Sequence, residues 1–99
     1  MATFIATVKF TEKGIQHIHD SPKRAAAFTT AAKKMGVSVV GLYWTLGPFD
    51  GVIVFEASDD KTATAAMLGL ASKGNVQTTT ARAFDATEFE KVIGIVGKN

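Results

Sequence analysis

Five side chains in this sequence have types and neighbours suited to chemistry: His17, Tyr43, Trp44, Asp50 and Arg82. His17 and His19 form a His-x-His pair followed by Asp20. In an extended segment such a pair shares a face, and two imidazoles with a carboxylate would make three metal donors. On a helix, residues two apart diverge, and the pair reads as two surface histidines beside a helix break. The second reading is the simpler one, so no metal site is expected. His17 alone, at the edge of a pocket, would suit a general base.

Asp50 sits in Gly47-Pro48-Phe49-Asp50-Gly51. A turn aspartate ordinarily accepts backbone N–H bonds. The alternative is a carboxylate that orients a ligand or pairs with Arg82. Arg82 shares a strand face with Phe84, where a guanidinium can clamp a carboxylate or lie along the rim against an acid. Tyr43 and Trp44 are strand neighbours and so point to opposite sides. The phenol offers a donor and the indole a stacking wall, although packing explains both rings. Lys9 reads as a charge that discourages unwanted strand pairing.

These residues do not spell a known catalytic set. With no cysteine, thiol nucleophiles, thiolate metal sites and disulfides are excluded. No serine lies in a nucleophile elbow. Gly47 and Gly51 flank a hairpin, not the strand-to-helix turn that cradles phosphate. No cofactor is expected.

The elements that position these residues are legible from periodicity. Phe4, Ala6, Val8 and Phe10 alternate as a strand. Thr11 caps a short turn over residues 12–18. Ser21 reads as an N-cap and Pro22 as the first helical residue, opening a helix with Ala25, Phe28, Ala32 and Met35 at helical spacing. Gly36 ends it. Strands follow over 37–46 and 52–56, joined by the Gly-Pro-Phe-Asp-Gly connection. Asp59 caps a second long helix carrying Ala63, Ala66, Met67 and Leu70, ended by Lys73-Gly74. A fourth strand spans 76–84, rich in β-branched threonine. Thr87-Glu88-Phe89-Glu90 matches a capping box, and Phe89, Val92, Ile93 and Val96 form one face of a terminal helix. Residues 97–99 are expected to fray.

The order β-α-β-β-α-β plus a helix predicts an α+β, ferredoxin-like fold. It consists of a four-stranded antiparallel sheet with both long helices on one face. At 99 residues the chain is one small domain, 1–99. Its 46% hydrophobic content excludes intrinsic disorder. The net charge is only +2, and Lys23-Arg24 and Lys33-Lys34 lie at opposite ends of a helix rather than in one stripe. A nucleic-acid partner is therefore not expected. No run of about 20 apolar residues crosses a membrane, and a cytoplasmic location is the default.

The middle strands are apolar at odd and even positions alike. Val39, Tyr43 and Thr45 are expected on one face, and Val40, Leu42, Trp44 and Leu46 on the other. Val52 and Val54 oppose Ile53 and Phe55. A half-solvated sheet alternates apolar with polar, so this one needs cover on both faces. A two-fold dimer with open faces apposed supplies it. Homodimers or higher homo-oligomers are expected, with a small apolar ligand as a further possible occupant.

Tyr43-Trp44-Thr45-Leu46-Gly47-Pro48-Phe49-Asp50, followed by an apolar strand, Glu56 and Asp59-Asp60, resembles the GYD domain family. Ser21-Pro22-Lys23-Arg24, Gly74-Asn75-Val76-Gln77-Thr78 and Arg82-Ala83-Phe84 extend the resemblance over Thr3 to Ile93. It implies a dimeric α+β barrel. The name-giving Gly-x-Tyr-Asp appears here as Gly47-Pro48-Phe49-Asp50, and Phe49 has no hydroxyl to donate. The resemblance brings no reaction. A binding or assembly module is the expected function. The alternative is a small cofactor-independent oxygenase or isomerase acting on an aromatic or apolar molecule.

Overall fold

Alternation along the first segment produces β1, Ala2–Phe10, with Phe4, Ala6 and Val8 buried on one face. The structure is a computed structural model describing residues 1–97; Lys98 and Asn99, part of the expected frayed end, lie outside them. Thr11 caps α1, Glu12–Gln16, through a 3.1 Å bond accepted by its Oγ1 from the Gly14 N–H. A single 3-10 turn, Ile18–Asp20, leads into α2, Ser21–Lys34. Here the sequence reading shifts by one residue. Asp20 is the N-cap and Ser21 the first helical residue, because the 3-10 turn already supplies helical backbone before Pro22. At the other end Gly36 adopts φ 82°. The Gly36 N–H bonds Lys33 O and the Val37 N–H bonds Ala32 O, at 3.0 and 2.9 Å, which is the Schellman closure.

Next come β2, Ser38–Trp44, and β3, Gly51–Ala57. Asp59 caps α3, Asp60–Ala71, accepting from the Thr62 N–H at 2.8 Å. Then β4, Val76–Ala83, precedes α4, Ala86–Val96. The capping box of α4 is Asp85 with Glu88 rather than one starting at Thr87. Asp85 reaches the Glu88 N–H at 2.7 Å, so the helix opens two residues earlier than its threonine suggests.

The sheet order is β2-β3-β1-β4, all neighbours antiparallel. This is the four-stranded α+β arrangement read from the element order. Phe4 and Phe55, cross-strand partners, stack with centroids 5.4 Å apart. Phe28 and Ala32 of α2 and Ala63, Ala66 and Met67 of α3 close over them.

A bulge corrects the expected facing of β2. Register shifts between Val39 and Gly41, leaving Val40 without a partner on β3. A bulge adds one residue to the strand and resets its alternation. Val39 therefore joins Leu42 against the core, while Val40 is 62% exposed. Across the open face, Ile5, Tyr43, Val52 and Val54 make an apolar centre, flanked on the β4 side by Thr79 and Gln77. The open face is apolar on β2 and β3, and β1 adds only Ile5 among Thr3, Thr7 and Lys9.

Helix α4 buries none of its residues. The radius of gyration is 15.2 Å, against about 13 Å for a compact chain of ~100 residues. The 53 Å long axis reflects the same extension.

Candidate functional site

Helices α2 and α3 both pack on the sheet and leave a cleft between them. Most of their facing residues are small, with Ala25, Ala31 and Ala32 on α2 and Ala66 and Gly69 on α3, beside the larger Phe28, Met35 and Leu70. The small side chains cannot span the gap, and a cavity of about 500 Å³ remains. Its floor is Val8, Leu42 and Ile53. That volume lies within the range of small-molecule sites, roughly 300–1,000 Å³.

The polar groups gather at one end. β1 ends at Phe10, α2 begins beside it, and α3 returns there through Lys73 and Asn75. Ser21, Arg24, Trp44, Asp50 and Lys73 consequently line the same mouth. The Trp44 Nε1–H donates to Ser21 Oγ at 3.0 Å, and Ser21 is only 8% exposed. The Arg24 Nη1 donates to the His17 carbonyl at 2.7 Å and Nη2 to that of Gly14 at 3.5 Å.

Asp50 pins the hairpin to β1. Its Oδ2 accepts from the Phe10 N–H at 2.8 Å, and its own N–H donates to Val8 O at 2.8 Å. The Thr45 N–H closes the turn on Asp50 O at 2.9 Å. Lys9 Nζ reaches the Pro48 carbonyl at 3.4 Å. Arg82 lies at the far end of the sheet, opposite Phe4. It pairs with Glu88 at 3.0 Å, donates to the carbonyls of Thr3 and Ala83, and covers the Phe84 ring at 4.5 Å. Phe4 and Phe10 are six residues apart, about 20 Å along a strand, so Asp50 and Arg82 do not meet.

Of the remaining candidates, the two aromatic neighbours on β2 turn their rings to different faces. Tyr43 shares the open face with Gly41. A Cβ at Gly41 would stand 2.9 Å from the Tyr43 ring, so the glycine lets the ring lie flat on the strand. Trp44 faces the cavity, which makes the two neighbours point to opposite sides of the sheet as their spacing requires. His17, His19 and Asp20 are exposed. No group of three metal-binding side chains occurs among the described residues. No described helix is long and apolar enough to cross a membrane.

The structure thus brings Tyr43, Trp44 and Asp50 to the lining of one cavity, Tyr43 from a strand position whose ring lies on the open face, and leaves His17 and Arg82 outside it. Sequence reasoning missed Ser21 and Arg24, each having a sufficient local explanation, a helix cap and a surface charge. The available signal was their spacing, since residues i and i+3 share a helix face and the partner strand carries the lone tryptophan.

Comparison with known proteins follows the same lines. A Thermus thermophilus protein named "Glutamine synthetase and cystathionine beta-lyase binding protein" is 38% identical over 90 residues, covering 90% of this chain and 95% of the relative. A crystal structure of a Thermus thermophilus protein superposes with a TM-score of 0.57 at 23% identity, covering 87% of this chain and 96% of that one. An ACT domain protein from Streptococcus pneumoniae is 16% identical with a TM-score of 0.49, over 84% of this chain and 90% of that one. The model of the GYD domain matches residues 4–93, nearly the whole span over which the motifs agree, and the chain belongs to the GYD domain family.

Proposed function

We propose that this protein is a non-catalytic binding module that pairs with itself through the open face of its sheet and presents the assembled surface to protein partners. The observation that carries the reading is the apolar centre of that face, with Tyr43 61% and Ile5 38% exposed beside Val52 and Val54. Four strands about 4.8 Å apart and ~23 Å long present about 440 Å² of flat face. A stable interface buries about 800 Å² per partner. Phe89, Ile93 and Val96 of α4 are exposed as well and offer further apolar area for an assembly. The enzyme-binding name of the 38%-identical relative supports protein partners for this chain as well. An oxygenase or isomerase reading needs His17, Tyr43, Asp50 and Arg82 around one cavity, and no observation favours it.

The test is native mass spectrometry with light scattering on the purified protein, alongside Val54→Glu. Val54 lies between Ile5 and Gly41 on the open face. The parent is expected as a dimer or a multiple of dimers, and the variant as a folded monomer. A parent that stays monomeric at tens of micromolar would overturn the reading.

A further inference from the structure

We infer that the cavity between α2 and α3 binds a small amphipathic carboxylate, its apolar body on the sheet floor and its head group between Arg24 and Ser21. This site is on the helix side of the sheet, whereas pairing uses the open face; Tyr43 and Val52 are the residues that border both.

Three observations converge. The first is room, because Ala25, Ala31, Ala66 and Gly69 leave about 500 Å³ open between the helices even with Phe28, Met35 and Leu70 on its walls. Interiors are otherwise packed to crystal density. The second is polarity along the cavity. Val8, Leu42 and Ile53 form the floor, whereas Ser21, Arg24, Asp50 and Lys73 stand at one end. A purely apolar occupant would leave those groups dry and unused, and a purely polar one would waste the floor.

The third is the state of the head-group donors. Arg24 is half-buried, and no carboxylate lies within ion-pair distance of it among the described residues. Its two recorded bonds go to neutral carbonyls, leaving further N–H groups of the fork free. Ser21 accepts from Trp44, which turns its own O–H into an available donor. Two cations, Arg24 and Lys73, face one carboxylate, Asp50, whose Oδ2 already holds the Phe10 N–H. The local excess is positive. A guanidinium with an adjacent hydroxyl suits a carboxylate by charge and by donor count.

Trp44 is the only tryptophan and lines the cavity, so its emission reports occupancy. The experiment titrates the protein with octanoate, octan-1-ol and octylamine below their aggregation thresholds. These probes share one apolar body and differ in the head. Octanoate is expected to shift Trp44 emission saturably and to bind at least about tenfold tighter than octylamine. Arg24→Gln is expected to lower octanoate affinity to that of octan-1-ol while leaving octan-1-ol binding intact, which shows that the cavity is still formed. Gly69→Leu provides a second handle, because a Cβ there meets nothing within 4 Å and the longer side chain fills space. It is expected to weaken all three probes without lowering the melting temperature.

Absence of a saturable octanoate signal would overturn the proposal. Equal binding of octylamine, or octanoate binding unchanged in Arg24→Gln, would do the same. Emission that follows protein concentration but ignores octanoate would place a second copy of the chain in the cleft instead. Light scattering on the same samples separates the two readings. A monomer that binds octanoate defeats the assembly reading alone, and an oligomer blind to octanoate defeats this one alone.

Discussion

Gly14 has the least room for a side chain of the described glycines. A Cβ there would stand 2.1 Å from the Asn75 carbonyl oxygen, because Thr11 binds the α3–β4 connection through Asn75 O at 3.0 Å and Gly74 O at 2.6 Å. Gly14→Ala is expected to cost about 1–3 kcal/mol in urea unfolding, the usual range for an overpacked contact. At Asp50 the expected order is graded. Asp50→Ala loses the acceptor for the Phe10 N–H, worth about 1–3 kcal/mol, and Asp50→Asn, which keeps an oxygen, loses less; the same unfolding curves decide it. The turn role of Asp50 was legible from its glycine neighbours. Its partner was not, since Phe10 lies 40 positions away and no local pattern encodes a contact at that range. Ser21 and Arg24 were hidden for a different reason. Helix starts select serine, and helix surfaces tolerate arginine, whatever the cavity beneath them.

Capping chemistry sets the helices, and one cap reports on pH. Asp59 has its carboxyl held below the usual aspartate range, chiefly by the Thr62 N–H and then by the Thr62 hydroxyl; desolvation opposes them, and the Lys61 N–H adds the least. The folded value is depressed, so the stabilisation is present above the ordinary carboxyl range and is lost as pH falls through the folded value. Asp59→Ala is expected to melt lower than the parent at neutral pH, with the gap closing as pH falls from the ordinary aspartate range through the lower folded value. A gap constant across that range would assign the effect of the substitution to helix propensity instead. Helices and strands were readable because their hydrophobic periods differ, 3.6 against 2. The β2 bulge was not readable. Val39-Val40 and Leu42 are all β-formers, and only pairing with β3 reveals that one residue is surplus.

For the whole molecule, element order was enough to give the sheet and the side on which both long helices lie. It was not enough to bring candidate residues together. Asp50 and Arg82 both border β1, yet they sit at its opposite ends. If the chain pairs through its open face, its melting temperature will rise with protein concentration by mass action, and that rise will vanish in Val54→Glu. A concentration-independent melt in the parent would argue against pairing. The unpartnered Val40 has a further consequence. β2 is an outer strand of the sheet, and an outer strand with regular pleating is a template on which another chain can extend the ladder. The bulge bends that edge and breaks its hydrogen-bond spacing midway. The same residue that turns Val39 toward the core thereby protects a sticky, valine-rich margin from runaway strand addition.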